Sequence, residues 1–333
     1  MKLAHGLYVL LLAGCPNPVG TGSSHPAPAC PLPVSVPLQH GDCSIDRWCY
    51  QNPSLAPDDY YGAWVQDTNT LWMVGQSLTG GIVRRWDGSS WTVFRPTETI
   101  GGLLSGIWGL DPNNIWLAGS GPWSRGWGVL LKWDGTTFVN QAIGNSGVQY
   151  AVWGSDARHI WAVGVANAST QLFFDGTTWS PQTVPAKGTL KSLWGTSASD
   201  LFAFGENGLT LHWNGTTLGA SDLPFTGQIN AVWGTGANTV WVAGSTRSIL
   251  SSTSLGTITP VTGGTLPTTS TTPVAPVRMV GPAPLGTTYT DLATVSANDV
   301  WAVGQHGTIA HYDGTTWSAV ESNTTVDLRS VWA

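Results

Sequence analysis

The chain has 333 residues, a formal net charge of −6 and charged side chains at only 10% of positions. Its 13 Lys and Arg are scattered, with Arg84-Arg85 the one adjacent pair, so there is no basic face for a phosphate backbone and nucleic-acid partners are excluded. Length alone suggests two domains, but an internal repeat overrules that and implies a leader followed by one closed array.

Residues 1–15 read as a lipoprotein signal peptide. Lys2 supplies a short positive region, and Leu3 to Ala13 is an apolar stretch too short to span a bilayer. Leu12-Ala13-Gly14-Cys15 resembles the bacterial lipobox, in which the Cys is acylated and becomes the mature first residue. Cys15 is therefore the expected lipid attachment site. Pro16, where Asp would signal inner-membrane retention, directs the expectation to the outer membrane or cell surface.

Residues 16–42 are rich in Pro, Gly, Ser and Ala and read as a semi-extended tether. With Cys15 acylated, Cys30, Cys43 and Cys49 remain, so an exported chain is expected to form one disulfide. Cys43 with Cys49 closes the shorter loop, although all three pairings are open. Three cysteines with no His at ligand spacing do not make a zinc motif, and neither metal nor cofactor is expected.

Residues 43–333 carry the repeat. Trp-Gly, then Trp-x-x-Gly, then an Asp-Gly-Thr-Thr turn recur, as in Trp153-Gly154, Trp161-Ala162-Val163-Gly164 and Asp175-Gly176-Thr177-Thr178-Trp179. The second aromatics are Trp72, Trp116, Trp161, Phe202, Trp241 and Trp301, spaced 44, 45, 41, 39 and 60 apart. The first aromatics lie eight residues earlier at Trp64, Trp108, Trp153, Trp194 and Trp233, with Ala293 in the sixth slot. A period of about 40 residues suits a four-stranded propeller blade.

In the third unit, Tyr150–Trp153 is expected as strand A, Ser155–His159 as the A–B loop and Ile160–Val163 as strand B. Gln171–Phe174 is expected as strand C, and Trp179 opens strand D. Asp175-Gly176 fits a tight C–D turn, because Gly accepts positive φ. No 3.6-residue periodicity is sustained, so no helix is expected. The fold class is all-β: a β-propeller of six full four-stranded blades. Tryptophans in the repeated slots are scaffold, wedged between blades.

The chain ends suggest a partial seventh blade. Asp327–Trp332 reads as a further strand A, and Trp48-Cys49-Tyr50-Gln51-Asn52-Pro53 as an orphan strand D. The two are expected to pair, as a truncated seventh blade or a clasp on a six-bladed ring.

Distances from the strand B aromatic to the C–D turn vary, so the B–C loops are the candidate binding loops. The longest, Gly119–Gly128, puts Trp123, Arg125 and Trp127 outside the repeated slots. Other B–C loops bring Glu206, Arg247 and His306 to the same rim, and these six are the candidate ligand-binding residues. No arginine triad or paired carboxylates stand out, so no catalytic residue is assigned and the chain is expected not to be an enzyme.

The Asp-Gly-Thr-Thr-Trp turns resemble the Asp-box of sialidase-type propellers, without the residue that box places between Asp and Gly. The longer pattern, aromatic–turn–Trp-Ala-Val-Gly–strand–Tyr-Asp-Gly-x-x-Trp, is similar to tectonin repeats of propeller lectins. Lipobox and blades together look most like exported bacterial β-propeller repeat lipoproteins. The resemblance spans roughly residues 48–333 and implies a surface-anchored, monomeric binding module for a protein or other cell-envelope partner. A tectonin-like glycan lectin is the alternative, and a degenerate glycosidase-type propeller ranks below it. Lectins of that kind repeat a sugar-contacting aromatic in several blades, whereas here only the second B–C loop offers one.

Overall fold

The computed structural model describes residues 8–11 and most of 58–332, leaving out 68, 98–100, 123–126, 142, 144–146, 166–169, 185–187, 222–226, 237–238, 246–248, 253–276, 280–287 and 323. Six antiparallel four-stranded sheets follow one another in chain order, each meandering from strand A to strand D. Their A strands are Asp59–Asp67, Leu103–Asp111, Gln149–Asp156, Leu190–Ser197, Ile229–Gly236 and Tyr289–Ser296. Each A strand packs on the next. The C-terminal strand Leu328–Trp332 lies between the sixth and the first, so seven inner strands close the ring.

The repeat spacing thus located the blades. The third blade comprises Gln149–Asp156, His159–Gly164, Thr170–Phe174 and Trp179–Thr183. Its A–B connection is tighter than the expected five-residue loop, because strands A and B both run on until only Ala157 and Arg158 remain between them. Asp156 holds that turn by accepting the Arg158 N–H at 2.8 Å.

Ring closure departs from the expected pairing. The strand beside Leu328–Trp332 is Tyr8–Leu11, in parallel, with Tyr8 opposite Leu328 and Leu11 opposite Trp332. A stretch of the apolar leader therefore occupies the edge assigned from sequence to residues 48–53, which lie outside the described residues. Leu328–Trp332 itself takes the inner position foreseen for it.

Two tryptophans per repeat do different jobs. The strand B aromatic packs against the aromatic ending strand C of the next blade: Trp72 on Trp133 at 5.4 Å, Trp116 on Phe174 at 5.0 Å, Trp161 on Trp213 at 5.0 Å and Trp241 on Tyr312 at 5.2 Å. The strand A tryptophan lies over the glycine after the next blade's own tryptophan. A Cβ on Gly109 would sit 2.4 Å from the Trp64 ring, and one on Gly234 would sit 2.3 Å from the Trp194 ring. The Trp-Gly dipeptide therefore records both sides of one interface.

The sixth blade shows what happens without it. Ala293 is fully buried where an indole would stand, and Trp233 of the fifth blade meets Trp332 of the seventh edge-on at 4.8 Å. Trp301 is partly buried, and His311 stacks on it at 4.0 Å, as His212 stacks on Phe202 in the fourth blade at 4.2 Å.

The five described C–D turns share one design. Asp175 Oδ1 accepts from Thr177 N–H at 2.8 Å, Thr177 Oγ1 at 2.7 Å and Thr178 N–H at 2.9 Å, while Gly176 takes φ +100°. Asp87, Asp134 and Asp313 repeat the cage, and Asn214 makes it with a neutral amide. Backbone N–H donors, helped by the turn hydroxyls, hold Asp134 and Asp175 down at about 2 and Asp87 well below the usual carboxylate range. At Asp313 the Thr315 hydroxyl leads, with backbone N–H donors behind it, and the carboxyl is likewise well below that range.

Both the wedges and the turns can be tested by substitution. Burying a tryptophan removes about 150–250 Å² from water, and Trp161 is 2% exposed. Trp161→Ala should therefore cost about 3–5 kcal/mol in urea unfolding; a loss below about 1 kcal/mol would contradict its wedge role. The turn carboxylates carry depressed folded-state pKa values. Their stabilisation is present above the unfolded value and is lost as pH falls from about 4 toward 2. Changing Asp87, Asp134, Asp175 and Asp313 together to Asn, as nature has at Asn214, should flatten the melting temperature over that window. An unchanged acid slope would contradict the cage as its source.

Candidate functional site

Each strand B carries a glycine at its end or within two residues of it, and that glycine shapes the ring's interior. A Cβ on Gly164 would sit 1.9 Å from Val148 O, and one on Gly75 the same distance from Asp59 O. The missing side chain lets strand A press onto strand B at this point, and the ladder slips by one residue. Tyr60 pairs with Gly75 and Gly62 with Val74, so Tyr61 is the extra residue of a β-bulge. The slip recurs at Ser105, Tyr150, Lys191, Asn230 and Thr290. In the C-terminal strand the register shifts at Arg329 and Ser330. Bulges re-aim side chains, and the bulge residues, three before each strand A tryptophan slot, line one central cavity of about 480 Å³.

Three of the seven are spent on holding blades together. Ser105 Oγ donates to Gln149 O at 3.0 Å, Asn230 Nδ2 donates to Tyr289 O at 2.8 Å, and Thr290 Oγ1 donates to Leu328 O. The other four are longer and form two pairs. Lys191 Nζ lies 3.7 Å from the centroid of the Tyr150 ring, and the Arg329 guanidinium 5.2 Å from that of Tyr61. Such contacts hold a cation over an aromatic face without neutralising it. Neither Lys191 nor Arg329 has a carboxylate within ion-pair distance among the described residues, and Arg329 Nε is buried without a hydrogen-bond acceptor.

Asp291 is the acid of the cavity wall, and it is engaged. Its Oδ2 accepts from Val331 N–H at 2.9 Å and Ser330 Oγ at 2.8 Å, and its Oδ1 from Leu292 N–H at 2.9 Å. Ser192, the residue following the Lys191 bulge, makes the equivalent bond by accepting Val232 N–H at 3.1 Å. Asp291 thus ties the seventh inner strand to the sixth blade. Desolvation raises its carboxyl to about 6, against the pull of these donors. Burial also raises the Tyr61 phenol, with Asp59 adding to the shift and Arg329 opposing it. Beyond the bulges the cavity runs into a collar of Trp108, Trp153, Trp194, Trp233 and Trp332.

The residues foreseen from the sequence fall elsewhere. Trp123, Arg125 and Arg247 lie outside the described residues, as do Cys15, Cys30, Cys43 and Cys49. Trp127 is 45% exposed on the second blade's B–C connection, where its carbonyl accepts Gly121 N–H at 2.9 Å. Glu206 and His306 stand in matching three-residue 3-10 turns, Glu206–Gly208 and Gln305–Gly307, at the B–C connections of blades four and six. His306 is exposed at φ +57°, its N–H donating to Asp327 Oδ1 at 3.0 Å. None of Trp127, Glu206 and His306 lines the cavity. Among the described residues no group of three or more His, Cys, Asp or Glu is placed to hold a metal. Arg84 is committed to a buried ion pair with Asp58 at 2.9 Å.

The bulge ring, which sequence reasoning passed over, opens on the face that carries the B–C connections. Antiparallel order puts the start of every strand A there, and the A–B and C–D turns on the opposite face.

Solved structures share this fold. YCF48 from Cyanidioschyzon merolae aligns with TM-score 0.59 and 17% identity over 82% of this chain and 88% of its own. A structure of YCF48 bound to D1 peptide aligns with TM-score 0.53 and 15% identity over 78% and 80%. The computationally designed Ika8 protein aligns with TM-score 0.55 and 12% identity over 85% and 78%. No protein-family model matches the chain, and neither does any curated protein. The likenesses establish the β-propeller fold.

The clasp at Asp291 yields a pH prediction. A carboxyl whose folded pKa is raised holds its proton more tightly in the folded state. Stability should therefore fall as pH rises from about 4 to about 6 and level off above, with a total change of up to about 3 kcal/mol. Asp291→Asn should abolish that slope in urea titrations at pH 4 and pH 7. A slope that persists would place the titrating group elsewhere.

Proposed function

We propose that the chain is a non-catalytic binding propeller, lipid-anchored through Cys15 at the cell envelope, that docks a protein on the face bearing the B–C connections. The observation that carries this reading is the bulge ring. It turns polar and aromatic side chains into a central cavity on a rigid scaffold, where binding residues concentrate. A likeness in fold to a propeller solved with a bound peptide supports the same reading. Nucleophile–base pairs and paired carboxylates are not what the cavity wall offers; its acid is engaged in holding the ring closed.

A tectonin-like lectin remains the second reading, supported by the exposed Trp127. In the described B–C connections of blades four and six, the matching turns carry Glu206 and His306 instead of an aromatic. That irregularity favours a protein partner over a repeated glycan.

Anchoring and docking are tested separately. Cys15→Ala should abolish metabolic palmitate labelling and membrane association; unchanged labelling would refute the anchor. In intact cells, a photo-crosslinker at position 306 or 206 should give a discrete protein adduct, whereas one at position 136 or 177, on the opposite face, should not. Equal adducts from both faces, or from neither, would refute the docking face. Binding on a glycan array without any such adduct would favour the lectin.

A further inference from the structure

The four unspent bulge residues form a set with a single chemical bias. Lys191 and Arg329 offer only hydrogen-bond donors, and the Tyr61 and Tyr150 phenols add two more hydroxyls. Lys191 and Arg329 come from the fourth and seventh inner strands, so they stand apart around the ring, each beside a tyrosine from a neighbouring strand. Among the described residues the charged ends stay unneutralised, because the nearby acids have other roles or positions. Asp291 is bonded to Ser330 and Val331, and Asp58 to Arg84. Asp59 lies two residues before Tyr61, beyond ion-pair distance of Arg329, and Asp327 accepts the His306 N–H.

Holding two cations in a half-buried wall costs desolvation, which an acceptor inside the cavity would repay. The remaining wall decides what kind of acceptor. Two tyrosine faces and the tryptophan collar offer apolar contact to a flat or aliphatic body. An inorganic anion would leave that surface unused. Asp291, ionised at neutral pH in the same wall, disfavours a ligand of high charge such as a polyphosphate. About 480 Å³ is within the range of small-ligand pockets.

We infer that the central channel is a binding site for a monocarboxylate with an apolar or aromatic body, its carboxylate held by Lys191 or Arg329 beside a tyrosine and its body against the tryptophan collar. The carboxylate could belong to a free small molecule or to the C-terminus of a peptide; the site chemistry is the same. The inference rests on the channel wall alone and stands whether or not a protein docks on the outer face.

Isothermal titration of the full-length chain at pH 7.5 with 3-phenylpropanoate, its amide, and Ala-Ala-Phe with a free or amidated C-terminus tests it. At least one free acid should bind saturably, and its amide should bind roughly tenfold more weakly or not at all. Binding of 3-phenylpropanoate assigns a free small acid, and binding of the tripeptide alone assigns a chain terminus. Lys191→Met and Arg329→Met, which keep apolar stems, should between them remove the preference for acid over amide, with circular dichroism and melting temperature reporting that the ring is intact. Should Arg329→Met fail to fold, Lys191→Met with Tyr150→Phe carries the test from the other pair. Absence of saturable binding by both free acids, or equal affinity for acid and amide, would overturn the inference. So would an acid preference that survives both substitutions.

Discussion

A side chain that is absent sets the geometry of this ring. Where strand B ends, glycine lets the start of strand A approach to a distance that any Cβ would block by contact with a backbone oxygen. The ladder answers with one extra residue in strand A, and that residue is turned inward. Because the contact repeats, the inward residues form a circle, and the cavity's chemistry is set by whatever occupies that one position in each repeat. Scaffold and site are therefore separable: glycine builds the position, and the residue standing there is free to vary.

The same economy governs the packing between blades. A glycine after the strand A tryptophan receives the indole of the preceding blade, and the strand B aromatic meets the end of the next strand C. Every blade thus needs its successor. Where the succession falters, at the sixth and seventh positions, the substitutes are visible. Trp233 and Trp332 meet beside the buried Ala293, and Asp291 takes the role that Ser192 has at the junction of the fourth and fifth blades. The seam is made by side chains where the other junctions are made by repetition.

Much of the scaffold was legible in the sequence because it is periodic. Trp153-Gly154, Trp161 with Gly164, and Asp175-Gly176 each mark a contact that recurs, and their spacing located strands, turns and the inner strand at the C-terminus. The A–B turn was tighter than read, since Ser155 and Asp156 continue the strand although they look like turn residues. The cavity was not legible in the same way. Tyr61, Ser105, Tyr150, Lys191, Asn230, Thr290 and Arg329 share a register but no chemistry, so a search for repeated residue types passes over them. Counting three back from each tryptophan slot would have collected them. The sequence cue that drew attention instead, unusual residues in variable loops, marks the rim and leaves out the wall. The partner of the last strand was equally hidden, because Tyr8–Leu11 was absorbed into the reading of an export leader.

That last pairing would tie any cleavage of the leader to the hydrogen-bond inventory of the ring. Among the described residues, Leu328–Trp332 is paired by residues 8–11 alone, through a ladder with one register shift. A peptidase cut before Cys15 would release the very strand that satisfies this edge. Precursor and processed forms would then share six identical blades and differ in one row of backbone N–H and C=O groups, open to water or to another chain. Such a cut would create an adhesive seam at a defined angular position on the disc, along the strand that contributes Arg329 to the channel.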